Sequence, residues 1–234
     1  MASMAIRRYK VVSCHSYKTK SYRMQGVDSR KWRADDPRRL RMAEKRASIL
    51  RAARPIMLRD GLGGTTLDRV AAEGGIAKMT LYRHFPNKEA LFEGLVMAMC
   101  EHIREGLENA PLADVDKPAP ERLADELRAF TSALIEPDAL ALYRLIVAEG
   151  WRFPNLAHVF DQSGMRVIRQ RISELLETGG VTVNRSRQAA GEVVALALGD
   201  AYQRAILGIA EEGDSEVFAQ QIGAATAYAL SWRA

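Results

Sequence analysis

Cysteine is nearly absent from this chain. The 234 residues hold two, Cys14 and Cys100, in dissimilar surroundings and in no CxxC or CxxH spacing. That excludes a disulfide framework and a zinc site of familiar spacing, and it fits a reducing cytoplasm. Histidine is scarce too: the four stand far apart, and no Ser/His/Asp set, HExxH, paired-His or Gly-Lys-Ser/Thr phosphate loop occurs. No catalytic residue, metal site or cofactor is assigned, and the adjacent Cys14 and His15 lack a third group to orient them. Long apolar runs are missing as well. No stretch of 18 apolar residues exists, and Val11-Val12 gives way at once to polar residues, so neither a membrane span nor a signal peptide is expected.

What is there reads as globular. With 47% hydrophobic and 27% charged residues the chain can bury a core, dividing into a small and a larger domain. Its charge is uneven: residues 1–110 carry 22 Lys and Arg against 12 Asp and Glu, whereas 111–234 carry 12 against 17. A front at +10 and a rear at −5 point to a polyanion, nucleic acid or an anionic surface, meeting the front alone. Part of that excess is a tail, since residues 1–33 hold nine basic side chains and one acid without helical or strand period. We take residues 1–37 as a basic, disordered arm. It either adds nonspecific phosphate contacts or lies upstream of the true start.

From Arg38 the pattern turns helical, with Leu40, Ile49, Ala53, Ile56 and Met57 on one face up to Asp60-Gly61. Pro55 inside this helix deletes a donor and crowds the carbonyl of Arg51, so a kink is expected there. The run Gly61-Leu62-Gly63-Gly64 breaks the chain, and Thr65-Thr66 with Asp68 supply a cap and an early acid for a short second helix. Gly74-Gly75 stops it, and Ile76 to Phe85 forms a third helix before Pro86. Short helix, glycine turn and short helix make a helix-turn-helix, whose second member lies in the major groove of DNA.

The residues carry a resemblance. The stretch Ile49 to Leu95, with TTLDRVAAEGGIAKMTLYRHFPNKEALFEGL at its centre, resembles the DNA-binding domain of the TetR/AcrR family. Leu81, Tyr82, His84, Phe85, Lys88, Glu89 and Leu91 match that family's LYxHFxxKExL signature, and the likeness is strong over residues 40–100. It implies that Lys78, Tyr82 and His84 grip phosphates, that Met79 and Thr80 approach base edges, that Lys88 adds a phosphate contact, and that Thr66 holds the backbone. Elementary chemistry agrees, because a phenol, an imidazole N–H and an ammonium are phosphate donors, while an early hydroxyl on a reading helix reaches bases. Tyr82 and His84 have an alternative role as caps on the small core. Ala77 departs from the pattern, standing where the family commonly has a small hydroxyl residue.

Asn87 caps a long amphipathic helix from Lys88 to Leu107, with His102 on its surface. The remainder reads as helices at 119–135, 138–150, 155–178, 187–208 and 215–233. The expected fold is therefore all-α: a three-helix DNA-binding domain at 38–87, then a helical ligand-binding and dimerisation domain at 88–234. Ala189 to Gly208 is apolar nearly all round and must be covered on two sides. With Phe218, Ile222, Tyr228 and Trp232 of the last helix it would form a homodimer interface, as the resemblance also implies.

By family analogy, Phe130, Tyr143, Trp151, His158, Phe160 and Met165 wall a cavity for a small apolar or aromatic effector, with Tyr143 and His158 as polar contacts. Three readings follow. A repressor released from a palindromic operator by an inducer predicts DNA binding that a compound relieves. A ligand-independent DNA-binding regulator or activator predicts binding that no compound changes. A helical enzyme predicts turnover without specific DNA affinity.

Overall fold

The computed structural model describes residues 36–109 and 116–231, and every regular element among them is helical. The basic arm, apart from Asp36 and Pro37, lies outside the described residues, as do Cys14, His15 and Trp232. The first helix, α1, spans Pro37–Gly64. Its start is local chemistry: the Asp36 carboxylate accepts from the Arg38 N–H at 2.8 Å, and Pro37 sits in the first turn, where its missing donor costs nothing. The expected kink at Pro55 does not occur. Helical dihedrals continue through it, and the break comes only at Gly61 (φ 68°, ψ −179°), where the glycine run was expected to interrupt the chain. Arg51 and Pro55 both face solvent, so water can take the carbonyl that the proline leaves without a donor.

Two seven-residue helices follow, α2 (Leu67–Glu73) and α3 (Lys78–His84). Thr66 caps α2 by accepting from the Arg69 N–H at 3.2 Å, whereas Ala77 opens α3 with no side-chain cap. Gly75 turns the chain between them at φ 61°, a conformation any other side chain resists. The Asn87 carboxamide then accepts from the Ala90 N–H at 2.8 Å and starts α4 (Lys88–Asn109).

The remaining elements are α5 (Ala119–Leu134), α6 (Pro137–Glu149), α7 (Pro154–Phe160), a π turn at Asp161–Met165, α8 (Arg166–Thr178), α9 (Val183–Leu207) and α10 (Asp214–Leu230). One continuous helix was expected over 155–178; the π turn divides it.

Two apolar clusters hold these helices together. Ile49, Ala53 and Met57 of α1, Val70 of α2 and Leu81 of α3 pack with Leu91, Phe92 and Leu95 of α4, and with Leu145 and Leu156 of α6 and α7. Truncating a fully buried side chain such as Phe92 to alanine costs about 3–5 kcal/mol. The packing therefore crosses the 87/88 junction without a gap. The second cluster joins Leu127 and Phe130 of α5, Ile172 of α8, Val193 and Ala197 of α9, and Phe218 and Ile222 of α10. A bidentate pair from Arg171 to the buried Glu126, at 2.7 and 3.1 Å, ties α8 to α5. One flank of α9 stays uncovered, with Leu196 and Leu207 exposed. No described helix is long and apolar enough to cross a membrane.

Candidate nucleic-acid interface and cavity

The α2–turn–α3 unit is braced from behind by ion pairs. Arg59 at the end of α1 meets Asp60 at 2.8 Å and Glu73 at 3.0 Å, and Arg69 meets Asp60 at 2.9 Å. Hydrogen bonds from Arg59 hold both carboxyls below the usual carboxylate range. Arg46 of α1 stacks 4.2 Å from the Phe85 ring and donates to the His84 carbonyl, setting the far end of α3. Sequence reading missed Arg46, since an arginine on a helix gives no local sign of where it folds back.

The candidate DNA-facing residues differ in exposure and partners. Met79 is 82% exposed, Thr80 beside it is half-buried, and Tyr82 is exposed. Lys78 reaches Asp68 at 3.1 Å, and the Tyr82 hydroxyl donates to the same carboxylate at 3.3 Å. Asp68 thus bridges two of the donors. Thr66 uses its oxygen as the α2 cap yet stays exposed. His84 is half-buried; burial first, then Arg83, Arg46 and Lys45, lower its pKa, so its neutral imidazole is favoured. Lys88 is placed differently from the others. Its ammonium donates to the Leu62 carbonyl at 2.8 Å, satisfying the end of α1.

Farther along, a cavity of about 390 Å3 opens between α4, α5, α6, α9 and the π turn. Of the expected walls, Tyr143, Phe160 and Met165 line it. Phe160 and Met165 are five residues apart, a spacing that would put them on different sides of a plain α-helix. The π turn between them brings both to the cavity. Three expected walls lie elsewhere. Trp151 is 78% exposed in the turn after α6, and Phe130 is buried in the second cluster one helical turn from Leu134, which does line the cavity. His158 faces solvent because α7 turns Leu156 and Phe160 inward, and its middle residue falls on the other side.

Sequence reading missed the α9 wall, made by Ala195, Leu198, Tyr202 and Gln203, because those residues were read as helix–helix contact. The wall exists because α9 is broken at Gly199 (φ 41°, ψ −144°). The Gln221 carboxamide of α10 fills the break: its nitrogen donates to the Leu198 carbonyl at 3.1 Å and its oxygen accepts from the Asp200 N–H at 2.9 Å. A more open cleft of about 510 Å3, bordered by Arg54, His102 and Asp138, shares Ile103 and Ala139 with the cavity. Among the described residues, no group of three His, Cys, Asp or Glu side chains is arranged to hold a metal ion.

Two helices belong to both regions. α4 carries Leu91, Phe92 and Leu95 in the first core and Ile103 in the cavity wall. α6 presents Tyr143 to the cavity and packs Leu145 near Gly61 of α1. Asp138 at its start pairs with Arg54 of α1, and Arg144 donates to the Ile206 and Ala205 carbonyls at 2.6 and 2.8 Å, closing the end of α9.

Comparison with known proteins places this arrangement. Residues 49–95 match the family described as bacterial regulatory proteins, tetR family, and residues 121–232 match the C-terminal domain of AefR-like transcriptional repressors. The Flavonoid-responsive Regulator FrrA is 30% identical, with a TM-score of 0.69 over 81% of this chain and 96% of that one. The chain belongs to the TetR family.

As a TetR-family protein it is a DNA-binding transcriptional regulator, and the proteins it resembles are regulators rather than enzymes. A structure from Mesorhizobium loti described as a TetR-family transcriptional regulator shares the fold, with a TM-score of 0.71 at 22% identity over 82% of this chain and 97% of that one. The HTH-type transcriptional regulator UidR of Escherichia coli K12 is 26% identical over 144 residues, which is 58% of this chain and 69% of UidR. The first TetR match runs from the middle of α1 to the middle of α4, taking in the whole α2–turn–α3 unit.

Proposed function

We propose that this protein is a cytoplasmic homodimeric repressor that leaves a palindromic operator when a small apolar or aromatic effector enters the 390 Å3 cavity. The observation that carries the reading is the sharing of α4 and α6 between the cavity wall and the first core. A ligand that moves Tyr143 or Ile103 moves a helix to which the reading unit is packed, so two discrete settings of that helix couple the sites. Residues 38–87 act as the reading head and 88–234 as the effector and dimer body, with α4 belonging mechanically to both.

In the head, Lys78, Tyr82, His84 and Thr66 hold phosphates, while Met79 and Thr80 meet base edges. Lys88 acts mainly by tying the end of α1 to the start of α4. The uncovered flank of α9, with Leu196 and Leu207, and the exposed small residues Ala224 and Ala227 of α10 form the two-fold interface. Such a dimer sets two α3 helices about one helical turn of DNA apart or a multiple of it. The name of FrrA favours an aromatic effector, and the description of the C-terminal match favours repression.

The test is a fluorescence-anisotropy titration against the DNA upstream of the protein's own gene, at two salt concentrations, with random DNA as competitor. The expected result is tight binding that survives competitor and that an aromatic compound abolishes. Specific binding that no compound relieves would leave a ligand-independent regulator. Affinity that falls equally on both DNAs as salt rises would remove the operator reading.

A further inference from the structure

The cavity walls are apolar apart from Tyr143, Tyr202 and Gln203, and of these three Tyr202 alone is buried. Tyr202 is 4% exposed, yet its hydroxyl makes no hydrogen bond. Buried hydroxyls in native proteins nearly always have a partner, so this one calls for an account. The side chain belongs to the cavity wall, and burial pushes its phenol well above the ordinary tyrosine range, so it keeps its proton and can act as a donor. Around it the surface is aromatic. The Tyr143 ring stands 5.6 Å from that of Tyr202 and 6.0 Å from that of Phe160, both at 62°. Among the described residues no Lys, Arg, His, Asp or Glu side chain lines the cavity, so a charged group of either sign would find no counter-charge in its walls. A volume of about 390 Å3 lies at the small end of the range of ligand pockets and suits two or three rings.

We propose that the effector is an uncharged molecule, apolar over most of its surface, that presents one hydrogen-bond acceptor such as a carbonyl oxygen to the hydroxyl of Tyr202. This rests on the reading of the cavity as the effector site and names the chemistry it selects. Tyr202 is the specificity-determining residue: the effector's acceptor supplies the partner that the folded chain withholds. The break at Gly199, three residues earlier in α9, shapes the wall in which Tyr202 stands. Recognition by this buried donor favours ligands that carry the acceptor by about the worth of one hydrogen bond, because an analogue without it leaves the donor as unpaired as before.

Three probes of one shape test this by calorimetry on the full chain: benzophenone, diphenylmethane, which lacks the carbonyl, and para-benzoylbenzoate, which adds a carboxylate. Wild type should bind benzophenone most tightly. Tyr202→Phe should weaken benzophenone about fivefold, the worth of one hydrogen bond, and leave diphenylmethane within about twofold. Without ligand the variant should melt no lower than wild type, since it loses an unpartnered hydroxyl and no contact.

Unchanged benzophenone affinity, or equal losses for both neutral probes, would overturn the role of Tyr202 while leaving the cavity reading intact. A lower melting temperature of the ligand-free variant would show that the hydroxyl already has a partner and would overturn it too. Tighter binding of para-benzoylbenzoate than of benzophenone would overturn the uncharged class. Binding of none of the three to wild type would overturn the cavity reading itself.

Discussion

Alanine in place of glycine inside a long helix ordinarily stabilises, by about 1 kcal/mol. Gly199→Ala should do the reverse. At φ 41° and ψ −144° the residue occupies a region that side chains avoid, at a cost of about 1–3 kcal/mol. An added Cβ would also press on the end of the Gln221 carboxamide and stand 2.7 Å from its Cδ, so that side chain must withdraw. Its withdrawal leaves the Leu198 carbonyl and the Asp200 N–H without partners, at roughly 1 kcal/mol each where water does not replace it. Gly199 and Gln221 are half-buried, so part of that loss is recovered from solvent, and about 2–4 kcal/mol remains. For a chain of 234 residues this is a fall in melting temperature of roughly 6–12 °C, read by circular dichroism at one fixed protein concentration. Adding Gln221→Ala to the variant should cost less than the sum of the two single changes, because the clash is gone. A melting temperature at or above that of wild type would mean that α9 runs straight through residue 199, and the account of the cavity wall would fail with it.

Asp68→Asn should strengthen binding to any duplex DNA by roughly twofold to fivefold, since a carboxylate that engages Lys78 and Tyr82 competes with phosphate through exposed pairs worth about 0.2–1 kcal/mol. Weaker binding in an anisotropy titration would instead make Asp68 an orienting group. Lys78→Ala should lower the salt slope of binding by about one on every sequence, whereas Thr80→Ala should shift which bases are preferred; uniform losses for Thr80→Ala in a selection from random sites would refute base reading. His84 contributes to pH dependence with a definite sign. Its pKa is lowered by burial and then by Arg83, Arg46 and Lys45, so its share of stability is complete above the ordinary histidine value of about 6.5 and is lost as pH falls through the lowered one. His84→Gln should flatten the fall in melting temperature on that acid side, and an unchanged slope would show that other groups produce it.

Much of the front of the molecule was legible because its signals are short-range. Thr66 and Asn87 cap the helices that they precede, and the glycines at 74 and 75 turn the chain between two helices too short to be read any other way. Pro55 shows the limit of that legibility: its effect depends on which way Arg51 faces, and it faces water, so no kink forms there and only the break expected at Gly61 occurs.

The rear was decided by tertiary structure. Apolar residues of a wall and of a core look alike along the chain, and only packing separates Phe130, which is buried, from Tyr143, which meets the cavity. The π turn that aligns Phe160 with Met165 left no mark in the pattern of residues that we read. Nor did the meeting of Gly199 with Gln221, two residues 22 apart whose partnership exists because α10 lies against α9. The sequence by itself determined most of the helices and the helix-turn-helix at the front, because hydrogen bonds and caps act within a few residues. The cavity and the buried, unpaired hydroxyl of Tyr202 came from the crossing of several helices, which no local pattern encodes.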